Sequence, residues 1–75
     1  MKKMIQDFVV DMDFSENIIV LKTILGTAGG LAAAIDNSKW EEIMGTVAGD
    51  DTILLVVKNK DNTEEVFNKI KELLV

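Results

Sequence analysis

The run Ile18-Ile19-Val20-Leu21-Lys22-Thr23-Ile24-Leu25 is rich in β-branched residues and stops at Gly26, and it predicts the strand that decides the fold. A second run, Thr52 to Lys58, reads TILLVVK and predicts another strand. Both runs are apolar at odd and at even positions, which is typical of strands whose two faces are both buried. The sequence therefore predicts two central strands of one sheet.

The segments around these runs predict the order ββαββα. They are, in chain order, a half-buried strand from Phe8 to Phe14, a turn at 15–17, a helix after Thr27 that ends near Asp36, a strand from Gly45 to Ala48, a turn at 49–51 and a last helix capped by Thr63. We expect an α/β protein of the α+β two-layer type, with a four-stranded antiparallel sheet and two helices on one face. Because two short helices cover only one face, we expect another copy of the chain on the other.

Composition limits the function further. The chain has 75 residues, enough for one domain, and it contains no cysteine or histidine, which are the usual metal ligands, nucleophiles and general bases. Its net charge is -5 and all its basic residues are lysines, a poor balance for binding nucleic acid or an anionic membrane. We therefore expect a cytoplasmic protein that is not an enzyme and has no cofactor, metal or membrane partner.

The turn Gly49-Asp50-Asp51 is the strongest candidate site. Adjacent aspartates beside glycine are often simple turn chemistry, and on the residues alone that interpretation is favoured. A metal site would need more oxygen ligands at defined spacing. The remaining functional interpretation is a pair of carboxylates that receives a cationic ligand. A guanidinium fits best, because its planar donors match carboxylates in pairs.

Two other features have a structural and a functional interpretation. The segment Gly26 to Gly30 is favoured as a close-packed turn into a helix, and its functional alternative is a set of backbone amides that receives a ligand carboxylate. Asp36 lies at a helix end, where the dipole disfavours negative charge. That conflict indicates either a role with a ligand ammonium or an intersubunit lysine, or a solvated loop residue.

The stretch Met44-Gly45-Thr46-Val47-Ala48-Gly49-Asp50-Asp51-Thr52-Ile53 resembles the signature of the C-terminal domain of bacterial arginine repressors. The flanks resemble the family as well. They are Ile18 to Thr23 followed by Gly26, Leu31 to Asn37, and Trp40 to Met44. The resemblance covers nearly the whole chain.

The resemblance implies a transcriptional regulator of arginine metabolism in which this chain, residues 1–75, is the C-terminal effector-binding and oligomerisation domain. It implies homotrimers that stack in pairs as hexamers, with L-arginine bound between trimers as corepressor. Asp50 and Asp51 would both hold the arginine, with Asp50 reaching the guanidinium across that interface, while Asp36 and backbone groups at Thr46 and Ala48 line the site. Operator DNA would be bound only by a separate N-terminal winged helix-turn-helix, absent from this chain.

One position departs from the family pattern. The family often has a glutamine three residues after the turn glycine, where this chain has Gly29. The missing amide would weaken arginine binding or alter its selectivity. The alternative function is therefore a constitutive oligomerisation domain of a paralogue with weak or no arginine binding.

Overall fold

The computed structural model describes residues 1–74, and its centre is a four-stranded antiparallel sheet in the order β1-β2-β4-β3. The strands are β1 (Val9–Ser15), β2 (Ile18–Thr23), β3 (Ile43–Ala48) and β4 (Thr52–Val57). The two runs predicted to be central pair with each other, with Leu21 opposite Ile53. The prediction of the sheet is confirmed, and β3 lies at one of its edges.

Three helices cover one face of this sheet. They are α1 (Lys2–Phe8), α2 (Ala28–Asn37) and α3 (Thr63–Leu73), the last preceded by a 3₁₀ turn at Lys60–Asn62. Helix α2 packs over β3 and β4, α3 packs over β1 and β2, and α1 contacts both other helices. The predicted two-layer sandwich is confirmed, with one more helix than the sequence predicted. No helix in this described part of the chain has the length and apolar character needed to cross a membrane.

Helix α1 corrects the sequence prediction, which put Phe8 in a strand and no helix before it. The helix has seven residues, too few for an apolar periodicity to be recognised in the sequence. Its N-cap, Met1, makes no side-chain capping bond. Instead Ile5 is fully buried in the core. Tertiary packing therefore holds this helix, and local sequence contributes little to it.

The hydrophobic core lies between the helices and the inner sheet face. Its fully buried side chains come from all three helices and both central strands, and include Ile5, Ile19, Leu21, Leu31, Ile53, Leu55, Val66 and Ile70. Inner-face residues on neighbouring strands stand opposite each other, as Ile19 does to Leu55. The single core shows that the 74 residues form one packed unit.

The outer sheet face, opposite the helices, is apolar at its centre. The register places Val20 beside Leu54, and Leu54 beside Val47, in one row across the sheet. Ile18 and Val56 form a second row. Leu54 is 39% exposed and Val47 is 65% exposed. The chain's own helices thus leave this face open. The sequence predicted this, because the central strands are apolar on both faces and the helices cover only one.

Predicted boundaries were wrong at several element ends, including the start of strand β3, which lies at Ile43 and not at Gly45. Strand β2 ends at Thr23 and not at Leu25, because the chain turns there: the Thr27 hydroxyl donates to the Ile24 carbonyl at 2.6 Å, and Gly26 has a φ of 85°. Helix α3 has Asn62 as its N-cap, so Thr63 is its first residue and does not cap it. Sequence patterns locate element ends poorly, because tertiary contacts decide the last turn.

Candidate functional site

The aspartate turn between β3 and β4 is held by three backbone hydrogen bonds. The Gly49 amide donates to the Thr52 carbonyl at 2.8 Å and closes the hairpin. The Gly26 amide donates to the Asp50 carbonyl at 3.0 Å, and the Thr23 amide donates to the Asp51 carbonyl at 2.8 Å. The two glycine-containing segments singled out in the sequence are therefore joined in space, and the turn is fixed against the start of α2.

The two aspartates differ in what their side chains contact. Both residues are exposed. Asp51 Oδ1 accepts a hydrogen bond from the Thr52 hydroxyl at 3.0 Å. The Asp50 carboxylate has no hydrogen bond or ion pair within residues 1–74. The turn thus presents one carboxylate that is engaged by its own chain and one that is free to accept a cation.

Asp36 lies near the end of α2 and contacts β3. Its Oδ1 accepts a hydrogen bond from the Thr46 hydroxyl at 3.0 Å. This contact explains how a negative charge is tolerated at the end of a helix, because the hydroxyl offsets part of the unfavourable interaction with the helix dipole. The structure therefore brings together two of the predicted site residues, one from the helix and one from the edge strand.

The edge of β3 supplies unpaired backbone groups at Thr46 and Ala48. Hydrogen-bonded and non-hydrogen-bonded pairs alternate along an antiparallel ladder, and the Gly49–Thr52 bond sets the phase. Ala48 opposite Ile53 and Thr46 opposite Leu55 are then non-hydrogen-bonded pairs. The N–H and C=O groups of Thr46 and Ala48 point away from β4, where a ligand or another chain can use them.

Gly29 lies in the first turn of α2 on the same side as Asp36. The two positions are seven residues apart, which is two helical turns and about 10 Å along the axis. A Cβ built on Gly29 meets no heavy atom within 4 Å, whereas one on Gly30 meets the methyl group of Met4 at 3.9 Å. A longer side chain at position 29 would have room to extend.

A cleft of about 360 Å³ adjoins Asp36. Its lining comes from the end of α2, the following loop and the start of β3, and consists of Ile35, Asp36, Lys39, Trp40, Ile43, Met44 and Gly45. A wider groove of about 600 Å³ shares Lys39 and Trp40 with this cleft, lies between Trp40 and α3, and contains none of the site residues predicted from the sequence. The smaller cleft is the one that belongs to the candidate site.

The predicted residues thus form two groups on one chain. Asp36 and Thr46 lie together at one end of the α2–β3 edge, whereas Gly29 in the first turn of α2 and Ala48 beside Gly49 lie nearer the hairpin turn, which carries Asp50 and its neighbour. Extended strand of three to four residues separates Thr46 from the turn, a distance of about 10–13 Å. One guanidinium therefore cannot contact both Asp36 and Asp50 of the same chain.

Sequence reasoning missed three residues near the turn. Lys22 Nζ donates to the Thr52 hydroxyl at 2.9 Å, and its signal in the sequence was a single charge within the apolar strand β2. Ile24 and Leu25 were assigned to that strand, yet they lie in the loop beside the turn, 49% and 73% exposed. Large apolar side chains that are exposed side by side are typical of an interface.

The chemistry available here is recognition of a cation. Carboxylates, a hydroxyl and backbone groups are hydrogen-bonding partners for a ligand with several N–H donors. Across residues 1–74, no three His, Cys, Asp or Glu side chains come together as a group that could hold a metal ion. The arrangement fits an organic cation better than a metal ion.

Comparison with known proteins gives one consistent result. The family model described as "Arginine repressor, C-terminal domain" matches residues 5–72. A curated arginine repressor from Halothermothrix orenii is 61% identical over 75 residues, covering 100% of this chain and 50% of the relative. Those from Bacillus pumilus and Syntrophomonas wolfei are 49% and 45% identical, covering 99% and 100% of this chain and 50% and 49% of the relatives. The chain spans about half the length of the curated relatives it matches.

Proposed function

The chain belongs to the arginine repressor family through its C-terminal domain, and on that premise we propose that it binds L-arginine as a corepressor and assembles as trimers that pair into a hexamer. The family is one of repressors and not of enzymes. Arginine is the ligand whose side chain matches the carboxylates of the candidate site.

The observation that carries the proposal is the exposed, rigid turn with a free carboxylate at Asp50. The turn is fixed by backbone bonds from Gly26 and Thr23, so its carboxylates need little reorganisation to receive a ligand. A guanidinium would donate two parallel hydrogen bonds to Asp50, an interaction that is strong when water is excluded. Exclusion of water from an exposed turn requires a second surface.

The second surface in this proposal is the α2–β3 edge of a facing subunit. Asp36, held by Thr46, and the free backbone groups of Thr46 and Ala48 offer acceptors and donors for the amino-acid end of the ligand. Because Thr46 and the turn of one chain lie about 10–13 Å apart along the strand, one guanidinium cannot contact both, and in this proposal Asp50 comes from the facing chain. The site is thus completed by assembly.

Two apolar surfaces support assembly in two directions. The outer sheet face, with Leu54 at its centre, would be covered by copies within a trimer. Ile24 and Leu25, beside the aspartate turn, would lie between trimers. Facing turns would repel through Asp50 and Asp51 without ligand, and bound arginine would neutralise that charge. A ligand that binds only the assembled state stabilises that state.

In the whole protein, the arginine-bound hexamer would act as a regulator of arginine metabolism. The relatives are about twice as long as this chain, and we place operator binding in an N-terminal winged helix-turn-helix outside these 75 residues. The net charge of -5 supports this division, because phosphate contacts need clustered positive charge.

Titration and sedimentation together test the proposal. Calorimetry of the 75-residue chain with L-arginine should show saturable binding, with L-lysine and L-citrulline as controls that lack the guanidinium. Sedimentation velocity at fixed protein concentration should show trimers without arginine and hexamers with it. Absence of heat together with an unchanged mass would overturn the proposal.

One observation favours a second function, that of a constitutive oligomerisation domain. Gly29 leaves open space where the resemblance implies a glutamine amide. A chain with this function would sediment as the same oligomer with or without arginine. It would also show the same thermal stability in both conditions, since a ligand that does not bind cannot stabilise.

A further inference from the structure

A chain of hydrogen bonds connects the outer sheet face to the aspartate turn. Lys22 Nζ lies 2.9 Å from Thr52 Oγ1, and Thr52 Oγ1 lies 3.0 Å from Asp51 Oδ1. The direction of both bonds is fixed by chemistry, since an ammonium only donates and a carboxylate only accepts. The Thr52 hydroxyl therefore accepts from Lys22 and donates to Asp51.

The strand register explains why Lys22 reaches Thr52. The two residues stand opposite each other on β2 and β4, and Asp11 stands opposite Lys22 on the other side. The Asp11 carboxylate accepts a bond from the Met12 amide at 2.9 Å. Asp11 thus binds its own strand, and Lys22 is directed to Thr52.

We propose that Lys22 is a positioning residue for arginine binding, which acts through Thr52 to hold the Asp51 carboxylate and to leave Asp50 as the acceptor of the guanidinium. This inference rests on the proposed function and deepens it. The adjacent carboxylates of Asp50 and Asp51 repel each other. The Lys22 ammonium, at the other end of the series of hydrogen bonds, lowers that repulsion. It also gives the two aspartates different duties, one orienting the turn and one binding the ligand.

The series of hydrogen bonds starts at Lys22, on the outer sheet face. Val20 and Leu54 form the apolar centre of that face. Lys22 and Thr52 each lie two residues further along the same two strands, next to this centre. A copy that covers this face would exclude water from the Lys22–Thr52 bond and strengthen it. Assembly over the sheet and orientation of the turn are thereby linked.

A double-mutant cycle on the whole 75-residue chain tests the inference, with L-arginine as the probe. Lys22→Met and Thr52→Val each remove one link, and each should weaken arginine affinity about 3- to 10-fold. The double variant should be no weaker than either single variant, because one broken link already releases Asp51. Lys22→Arg and Thr52→Ser keep the donors and should restore affinity.

Two controls separate positioning from general stability. Lys58→Met removes another exposed lysine, whose Nζ lies 3.6 Å from Glu41, and should leave affinity unchanged. The side-chain carboxyl carbon resonance of Asp51 should shift in Lys22→Met without ligand, and that of Asp50 should not. A merely structural role would not produce this selective shift.

The outcomes distinguish this inference from the function on which it rests. Wild-type chain that binds arginine, with Lys22→Met and Thr52→Val binding equally well, would overturn the inference and leave the proposed function intact. Losses of arginine affinity that add up in the double variant would also overturn the inference, since they would show that Lys22 and Thr52 act independently. Wild-type chain that gives no heat with arginine would overturn both.

Discussion

The backbone amide of Gly26 donates a hydrogen bond to the carbonyl of Asp50 at 3.0 Å, and this bond joins the β2–α2 loop to the aspartate turn. Gly26 has a φ of 85°, a conformation that side chains other than glycine rarely adopt. The aspartate turn therefore depends on a glycine more than twenty residues away in sequence.

Gly26→Ala should destabilise the chain by about 1 kcal/mol or more, because alanine is strained at a positive φ. It should also weaken arginine binding, since the loop that holds Asp50 must shift. Urea unfolding at one protein concentration and calorimetry measure the two effects. The control Gly30→Ala lies within α2 and should instead stabilise by roughly 0.5–1 kcal/mol. Unfolding curves that move in the same direction for both variants would contradict this account.

Asp50→Asn should lower arginine affinity at least about 10-fold, because it removes the charge that a guanidinium needs across an excluded interface. The matched variant Asp51→Asn should have a smaller effect, since that side chain is already engaged by Thr52. Calorimetry with L-arginine compares them. Equal affinity of Asp50→Asn and the wild-type chain would refute the role proposed for Asp50.

Gly29→Gln should strengthen arginine binding and stabilise α2 by roughly 0.5–1 kcal/mol relative to glycine. The open space around position 29 accommodates the longer side chain. Gly30→Gln gives a similar gain in helix propensity but extends toward Met4 of α1, so its arginine affinity should not change. The difference in arginine affinity between the two variants is the decisive measurement. Equal affinities would show that position 29 is not part of the site.

Leu54→Glu should dissociate the proposed oligomer into smaller species. The substitution puts a charge at the apolar centre of the outer sheet face, and burial of an unpaired carboxylate is strongly unfavourable. Sedimentation velocity at fixed concentration reads the mass directly. The control Asn68→Glu adds the same charge on an exposed position of α3, on the other side of the molecule, and should leave the mass unchanged. An intact oligomer in Leu54→Glu would show that copies do not meet on this face.

Thr63→Val should stabilise the chain by about 1 kcal/mol. The Thr63 hydroxyl is buried with no hydrogen-bond partner within the described residues, and an unsatisfied buried hydroxyl is unfavourable by about 1–3 kcal/mol. Valine has a similar shape without the polar atom. Urea denaturation at constant protein concentration checks the sign, since stability would depend on protein concentration in the proposed assembly. Destabilisation would indicate that the hydroxyl does have a partner in the assembled protein.

Part of the candidate site could be predicted from the sequence because it is local. Gly49, Asp50 and Asp51 are adjacent, so these three residues are enough to predict both the turn and its negative charge. The grouping of Asp36 with Thr46 was less accessible, because a helix and a strand bring them together across ten positions. Lys22 was missed because its partner Thr52 is thirty positions away and only strand register puts them side by side.

The amino-acid sequence by itself determined the sheet, the two central strands and helices α2 and α3, because apolar periodicity and glycine breaks act over a few neighbouring residues. Only the tertiary structure decided helix α1 and the end of β2, because the packing of Ile5 and the bond from the Gly26 amide to the Asp50 carbonyl involve residues distant in sequence. It also placed Lys22 against Thr52, whose hydroxyl donates to Asp51. No local pattern encodes this contact between strands, because the two residues are thirty positions apart.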